Sequence, residues 1–257
     1  MKNRVAVVSD IHSNADALVK VLDKIAFKSF DLTVFLGDIL TYGMQPLEVL
    51  DLLTSYSKSN KAIFIKGNHD QFYFDIQGGR DVAGYKMPSF VKESFLWTLN
   101  ELDGVLLEEL FNWREEYLMG GVCFAHANPF RYGDWRYLED KKTADAAFDA
   151  LAKKQCPIGV FGHSHRQMIY TKKNVDKSCV NFNQFLTEDG CSYIVNAGSV
   201  GQPRGRGLCY LTLEIDEDRI SGNLHPFYCD MGNMSAMTTS SDFSEKTKYK
   251  LKEFLRS

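Results

Sequence analysis

Short β-branched runs alternate along the chain with stretches whose apolar residues recur every third or fourth position. Residues 4–9 (RVAVVS) read as a buried strand. Over residues 14–27, Leu18, Leu22 and Ile25 fall at spacings of four and three, the period of a helix. Residues 32–36 read as a second strand. Residues 46–56 read as a second helix, with Leu47, Leu50 and Leu53 on one face and Pro46 suited to the first turn. Residues 61–65 read as a third strand. This β-α-β-α-β opening predicts parallel strands joined by right-handed crossovers.

Further along, a helix is expected over residues 88–102 and another over about 139–154, with short strands over 122–125 and 158–161. The pattern then turns β-rich, with strands over 168–171, 192–197, 208–215 and 220–228. Asp216-Glu217-Asp218-Arg219 between the last two reads as a hairpin turn. Residues 230–242, rich in Met, Ser and Thr, predict a loop. Residues 245–256 predict a short helix whose Lys246, Lys248, Lys250 and Lys252 form a solvated face. Without a repeat or a linker, residues 1–257 are expected to form a single α/β domain. Its parallel first part and antiparallel second part predict two sheets in one sandwich, with helices outside.

The 257 residues are 44% hydrophobic and 25% charged, ordinary for a globular protein. A net charge of −3 excludes nucleic-acid binding driven by overall charge, so no stable nucleic-acid partner is expected. No apolar run reaches the ~18 residues of a membrane span. The first residues, MKNRVAVVSD, lack the apolar core and cleavage site of a signal peptide. Cys123, Cys156, Cys179, Cys191, Cys209 and Cys229 form no CxxC pair and read as reduced thiols, so a cytoplasmic location is expected.

Candidate chemistry lies where the predicted strands end. The first ends in Ser9-Asp10-Ile11-His12, the second in Gly37-Asp38 and the third in Gly67-Asn68-His69-Asp70. Two later ones end in Ala125-His126-Ala127-Asn128 and Gly162-His163-Ser164-His165. Ligands of open α/β sheets gather at the carboxyl ends of strands, and small residues let the backbone turn sharply there. Alternate residues of Asp10-x-His12 and of His163-x-His165 share one side of an extended segment. Imidazole with carboxylate suits Mn, Fe, Zn or Ni rather than Ca. Asp10, His12, Asp38, Asn68, His126, His163 and His165 are more ligands than one ion needs. Two ions about 3.5–4 Å apart would use them all, bridged by Asp38. The remaining histidine, His225 before Pro226, reads as a structural residue in an edge strand.

The order DIH, GD, GNHD, H, GHSH resembles the calcineurin-like metallophosphoesterase superfamily. The segments GDILTYGMQPLEV and NAGSVGQPRG are similar to its small prokaryotic phosphodiesterase branch, which includes diadenosine-tetraphosphatase-like proteins. The likeness spans residues 5 to about 213. It implies a four-layer αββα sandwich with two mixed sheets flanked by helices. It also implies two divalent ions, manganese foremost, with Fe, Zn, Ni or Mg as the other choices. Asp10, His12, Asp38 and His165 would hold the first ion. Asp38, Asn68, His126 and His163 would hold the second. His69 would face the scissile phosphate or its leaving group, and Asp70 would orient His69 or its loop; these two are the catalytic candidates. The family pattern GDxxD is broken here by Thr41, a change expected to tune metal affinity.

The implied reaction is hydrolysis of phosphodiester or nucleotide-type esters by in-line attack of a hydroxide bridging the ions, with His69 assisting the leaving oxygen. Arg204, in a glycine-rich loop, is a candidate clamp for a second phosphate. The aromatic segment 130–137 (FRYGDWRY) could stack on a base, wall the cleft or pack on the core; Asn128 reads as a turn residue. The expected partner is a small phosphorylated molecule, nucleotides included. Two alternatives stand beside this reading: a phosphomonoesterase or protein phosphatase on the same site, and a non-catalytic scaffold on the same fold. A scaffold is expected to lose the histidine of GNH, which this chain keeps as His69.

Overall fold

The computed structural model describes residues 2–82, 84–173, 176–180 and 183–256. The opening follows the periodicity: β1 (Asn3–Val8), α1 (Ala15–Ala26), β2 (Leu32–Phe35), α2 (Pro46–Ser59) and β3 (Ala62–Ile65). The three strands pair in parallel, with Val5 opposite Leu32 and Thr33 opposite Ala62. Asn14 starts α1 because its Oδ1 accepts the Ala17 amide at 3.0 Å, and Pro46 opens α2 at a position that needs no amide donor.

The chain continues through α3 (Asn68–Gln77), α4 (Ser89–Glu101), α5 (Leu107–Leu110), β4 (Trp113–Arg114), β5 (Glu116–Met119) and β6 (Val122–Ala125). Then come α6 (Lys141–Lys153), β7 (Ile158–Phe161), β8 (Gln167–Lys173), β9 (Asp176–Val180), β10 (Gln184–Leu186) and β11 (Cys191–Ala197). The hairpin β12 (Leu208–Ile215) and β13 (Ile220–Phe227) precedes α7 (Gly232–Ser240) and α8 (Glu245–Phe254). One mixed sheet runs β10-β13-β12-β1-β2-β3-β4, and the other runs β5-β6-β7-β11-β8-β9.

Side chains alternate across each strand, and this alternation builds the layers. Val5, Val7, Val34 and Leu211 meet Phe124, Val160 and Val195 in a core shared by the two sheets. From the opposite face of the first sheet, Ala6, Val8 and Phe35 pack on Leu18, Val21 and Leu53 of α1 and α2. From the opposite face of the second sheet, Cys123, Phe161 and Ile194 pack on Ala147, Phe148 and Leu151 of α6. The result is helix, sheet, sheet, helix. Each fully buried aliphatic or Phe side chain of the central layer contributes about 1.5–3 kcal/mol of transfer free energy.

Three local expectations are corrected. The stretch expected as a loop over 230–242 contains α7. It has no apolar stripe to betray it, since only Met234 and Thr238 are buried. Its hydroxyls instead bond back along the helix, Thr238 Oγ1 to the Met234 carbonyl at 2.8 Å and Thr239 Oγ1 to that of Ser235 at 2.7 Å. Second, β13 is not an edge strand, because β10 pairs with it. That pairing covers only residues 221–223, so the missing amide of Pro226 lies beyond it. Third, α3 begins inside the GNHD motif, whose first turn the carboxylate of Asp70 organises. His225 hydrogen-bonds Thr212 Oγ1 through Nε2 at 2.8 Å and stacks on Tyr210, a structural role. Cys123, Cys156, Cys191, Cys209 and Cys229 are free thiols. The side chain of Cys179 lies outside the described residues. Among the described residues, no helix is long and apolar enough to cross a membrane.

Candidate metal centre

The ends of β1, β2 and β3 from one sheet meet those of β6 and β7 from the other. The His163 amide lies 3.2 Å from Asp10 Oδ1, and His126 Nδ1 donates to the Leu36 carbonyl at 2.6 Å, so the sheets are tied together at this edge. Glycine is required where strand ends crowd. Gly37 has a φ of +87°, and a Cβ there would lie 2.5 Å from the Gly67 nitrogen; one on Gly67 would run into the Asp38 carboxylate.

All seven candidate ligands converge. Asp10, His12, Asp38 and His165 form one group, and Asp38, His126 and His163 a second; within each group the ligand atoms lie within 4.8 Å of one another. Asn68 Oδ1 lies 3.1 Å from His126 Nε2, beside the second group. Asp38 belongs to both. Asp10, His12, Asp38, His163 and His165 all carry positive φ values, between 48° and 62°. Each such residue stores roughly 1–2 kcal/mol of backbone strain. Strain concentrated on these five residues holds the donors on one point at a cost to folding.

The donor chemistry fits cations. His12 Nδ1 donates to the Leu40 carbonyl at 3.0 Å and His165 Nδ1 to that of Gln202 at 2.5 Å. In the neutral rings both Nε2 atoms therefore carry lone pairs, yet these nitrogens face each other at 3.2 Å. Two lone pairs at that distance repel unless a cation lies between them. His163 spends Nε2 on the Trp135 carbonyl at 2.9 Å, which leaves Nδ1 as its ligand atom. Asp10 and Asp38 are buried, and among the described residues their ion-pair partners are histidines alone. Buried carboxylates need positive charge close by, and divalent ions would supply it.

Burial favours a neutral Asp10, but contact with His165 outweighs it and keeps the carboxyl well below its usual range. Asp38 is likewise held low: burial is overcome by His126 and His69. Burial also opposes charge on His126, yet Asp38 raises it to about 9. Burial, with His165 beside it, drives His12 far down, and burial with His126 takes His163 to about 3. In the metal-free protein, the stability gained from protonated His126 is full below its unfolded value near 6.5 and is lost as pH rises through about 9. A metal needs the lone pair of that ring. Uptake near pH 7 should therefore release about one proton from His126, and the release should vanish above pH 9. Calorimetry in two buffers of different ionisation enthalpy reads this directly; no buffer dependence near pH 7 would contradict it.

Around the ligands lie the other candidates. His69 is buried and belongs to neither ligand group; burial takes it to about 4, with Asp38 opposing. Asp70 accepts the amides of Asp38 at 2.8 Å, Ile39 at 3.0 Å and Gly67 at 2.9 Å. Its oxygens are engaged with backbone, and these bonds tie the GD loop to the GNHD loop. Burial, with Asp38 adding to it, raises Asp70 to about 7. Arg204 Nη2 bonds Gln202 Oε1 at 3.3 Å, and its guanidinium lies 5.5 Å from the ring centre of Phe254 at the end of α8. That residue, with buried Leu251, makes one face of α8 a packed surface. The expected solvated lysine face is corrected: Lys250 Nζ lies 5.1 Å from the Phe254 ring centre, Lys248 is largely buried and Lys252 donates to Thr239 Oγ1 at 3.0 Å, because lysines two apart on a helix spread around it. Thr41 turns its hydroxyl to Tyr73 Oη at 2.7 Å.

The segment 130–137 walls the cleft. Tyr137 stacks on His163 with centroids 4.3 Å apart, and Trp135 lies edge-on to His126 at 6.0 Å. Asn128 holds the loop through the carbonyls of Asp134 and Arg136. A cavity of about 420 Å³ opens beside His126, bounded by Phe130, Tyr132 and Trp135. Sequence reasoning missed Tyr42, whose Oη lies 3.2 Å from His69 Nε2. It also missed Ser9 and Ser199, which bond the Asp10 carboxylate and carbonyl at 2.5 and 2.8 Å.

A family model described as calcineurin-like phosphoesterase matches residues 3–197. Over 208 residues the chain is 28% identical to protein MJ0912 of Methanocaldococcus jannaschii, covering 79% of each. Over 112 residues, 40% of this chain and 43% of the other, it is 29% identical to the asymmetrical bis(5'-nucleosyl)-tetraphosphatase PrpE of Halalkalibacterium halodurans. The crystal structure of a metallophosphoesterase from Sphaerobacter thermophilus shares the fold with a TM-score of 0.72 at 23% identity, covering 99% of this chain and all of the other.

Proposed function

The chain belongs to the calcineurin-like phosphoesterase family and is a metal-dependent phosphoric ester hydrolase, and from that premise we propose that it cleaves phosphodiester or nucleotide-type esters at a pair of divalent ions. The observation that carries the reading is Asp38, a carboxylate common to two groups of buried donors whose lone pairs face one another. Asp10, His12, Asp38 and His165 would hold one ion, and Asp38, Asn68, His126 and His163 the other. When bound, the ions would lower the pKa of a shared water and offset charge on the phosphate oxygens. His69 donates toward the leaving oxygen, opposite the attack. Asp70 holds the two loops that carry Asp38 and His69. Arg204 clamps a further phosphate, which suits a polyphosphate chain.

The nucleotide preference draws support from the tetraphosphatase relative and from the aromatic wall beside His126. Manganese is the first metal to test, given the mixed imidazole and carboxylate donors. We further read the chain as one domain, because both sheets supply ligands and α8 reaches Arg204.

Exhaustive chelation is expected to abolish hydrolysis of bis-p-nitrophenyl phosphate, and Mn²⁺ to restore it. Full activity after chelation would overturn the reading. A panel of dinucleoside polyphosphates, cyclic and linear diesters and monoesters, with each ion in turn, ranks the substrate classes.

A further inference from the structure

The loop carrying Asp38 continues through Thr41 and Tyr42, both with left-handed backbone at φ 74° and 70°. Thr41 stands where the family motif carries an aspartate, and its hydroxyl turns away to Tyr73. The next side chain enters the centre instead. Tyr42 is 7% exposed, and its ring centre lies 4.7 Å from that of His12 and 4.8 Å from that of His69. Its Oη is 3.2 Å from His69 Nε2, whereas buried His69 Nδ1 has no hydrogen-bond partner within the protein.

The acceptors open to the phenol set the direction of the Tyr42–His69 bond. Among the described residues His69 Nε2 is the one hydrogen-bond partner of the Tyr42 hydroxyl, and the nearby guanidinium of Arg204 has no lone pair to offer it. The single O–H is therefore spent on His69 Nε2. Nε2 then accepts, and the ring hydrogen sits on Nδ1. Arg204 is itself held by Gln202 and by the face of Phe254. We propose that Tyr42 is a positioning residue that fixes His69 in its Nδ1–H tautomer and so leaves Nδ1–H as the ring's donor to the departing oxygen. The inference rests on the phosphoester-hydrolase reading above and adds to it the residue that replaces the missing carboxylate.

Tyr42→Phe keeps the ring and removes Oη. Two-bond proton–nitrogen correlation spectra of the histidine side chains, recorded on metal-free protein, should show His69 as Nδ1–H in the parent and shifted toward Nε2–H in the variant. With manganese-loaded enzyme, kcat on a diester with an alkoxide leaving group should fall about 10–100-fold. KM and metal content should hold, and a p-nitrophenolate leaving group, which departs without help, should mask the loss. Tyr42→Phe combined with His69→Ala should be no slower than His69→Ala alone. An unchanged His69 tautomer in Tyr42→Phe, or additive losses in the double variant, would overturn the proposal. If the parent protein shows no metal-dependent hydrolysis, the failure belongs to the broader reading, and the spectra alone decide the role of Tyr42.

Discussion

Asp38→Asn is expected to empty both halves of the centre and to lower kcat by on the order of a thousandfold or more. Asparagine nearly matches aspartate in shape and keeps an oxygen for the His69 amide, which Asp38 Oδ1 now accepts at 2.9 Å. What it loses is the negative charge 3.3 Å from His126 Nε2 and 3.7 Å from His12 Nε2. That charge serves both groups of donors, so its removal should weaken two ions at once, unlike loss of a ligand confined to one group. Elemental analysis should find fewer than two ions per chain after dialysis, with the circular dichroism spectrum unchanged. Two retained ions with parental turnover would show that Asp38 is not the common ligand.

His69→Ala should have a different signature: full metal content, nearly unchanged KM, and a kcat lower by ~10²–10⁴-fold. The side chain belongs to neither ligand group, and the contact tying this residue to Asp38 comes from its backbone amide, which alanine keeps. The loss should grow as the leaving group becomes more basic, since a poor leaving oxygen depends most on a hydrogen donor. Loss of an ion in this variant would instead make the imidazole a ligand. The two substitutions thus separate holding the cations from assisting departure.

The convergence of the candidate ligands was readable in the sequence because strand ends are both local and periodic: a β-branched run followed by Gly-Asp or Gly-His-Ser-His announces its own geometry. The layer order was readable for the same reason, through Val5 and Val7 on one face and Ala6 and Val8 on the other. The contact of Tyr42 with His69 was not, because only the left-handed loop at 41–42 carries that ring into the centre, and spacing along the chain does not announce it. Helix α7 escaped because its cohesion comes from hydroxyls bonding backward rather than from an apolar stripe. The edge-strand reading of β13 failed because proline forbids only one bond, and the neighbouring strand stops short of it.

The first donor group draws Asp10 and His12 from near the start of the chain and His165 from beyond its middle, on opposite sheets. No fragment ending before β7 can assemble that group, so a chain still emerging from the ribosome carries a half-built cradle. Capture of a cation by that group would have to wait until the sheets have docked, a slow event for a topology rich in distant pairings. Metal loading would then serve as a timestamp of completed folding, and starvation for the ion would strand mature, empty molecules rather than unfolded ones.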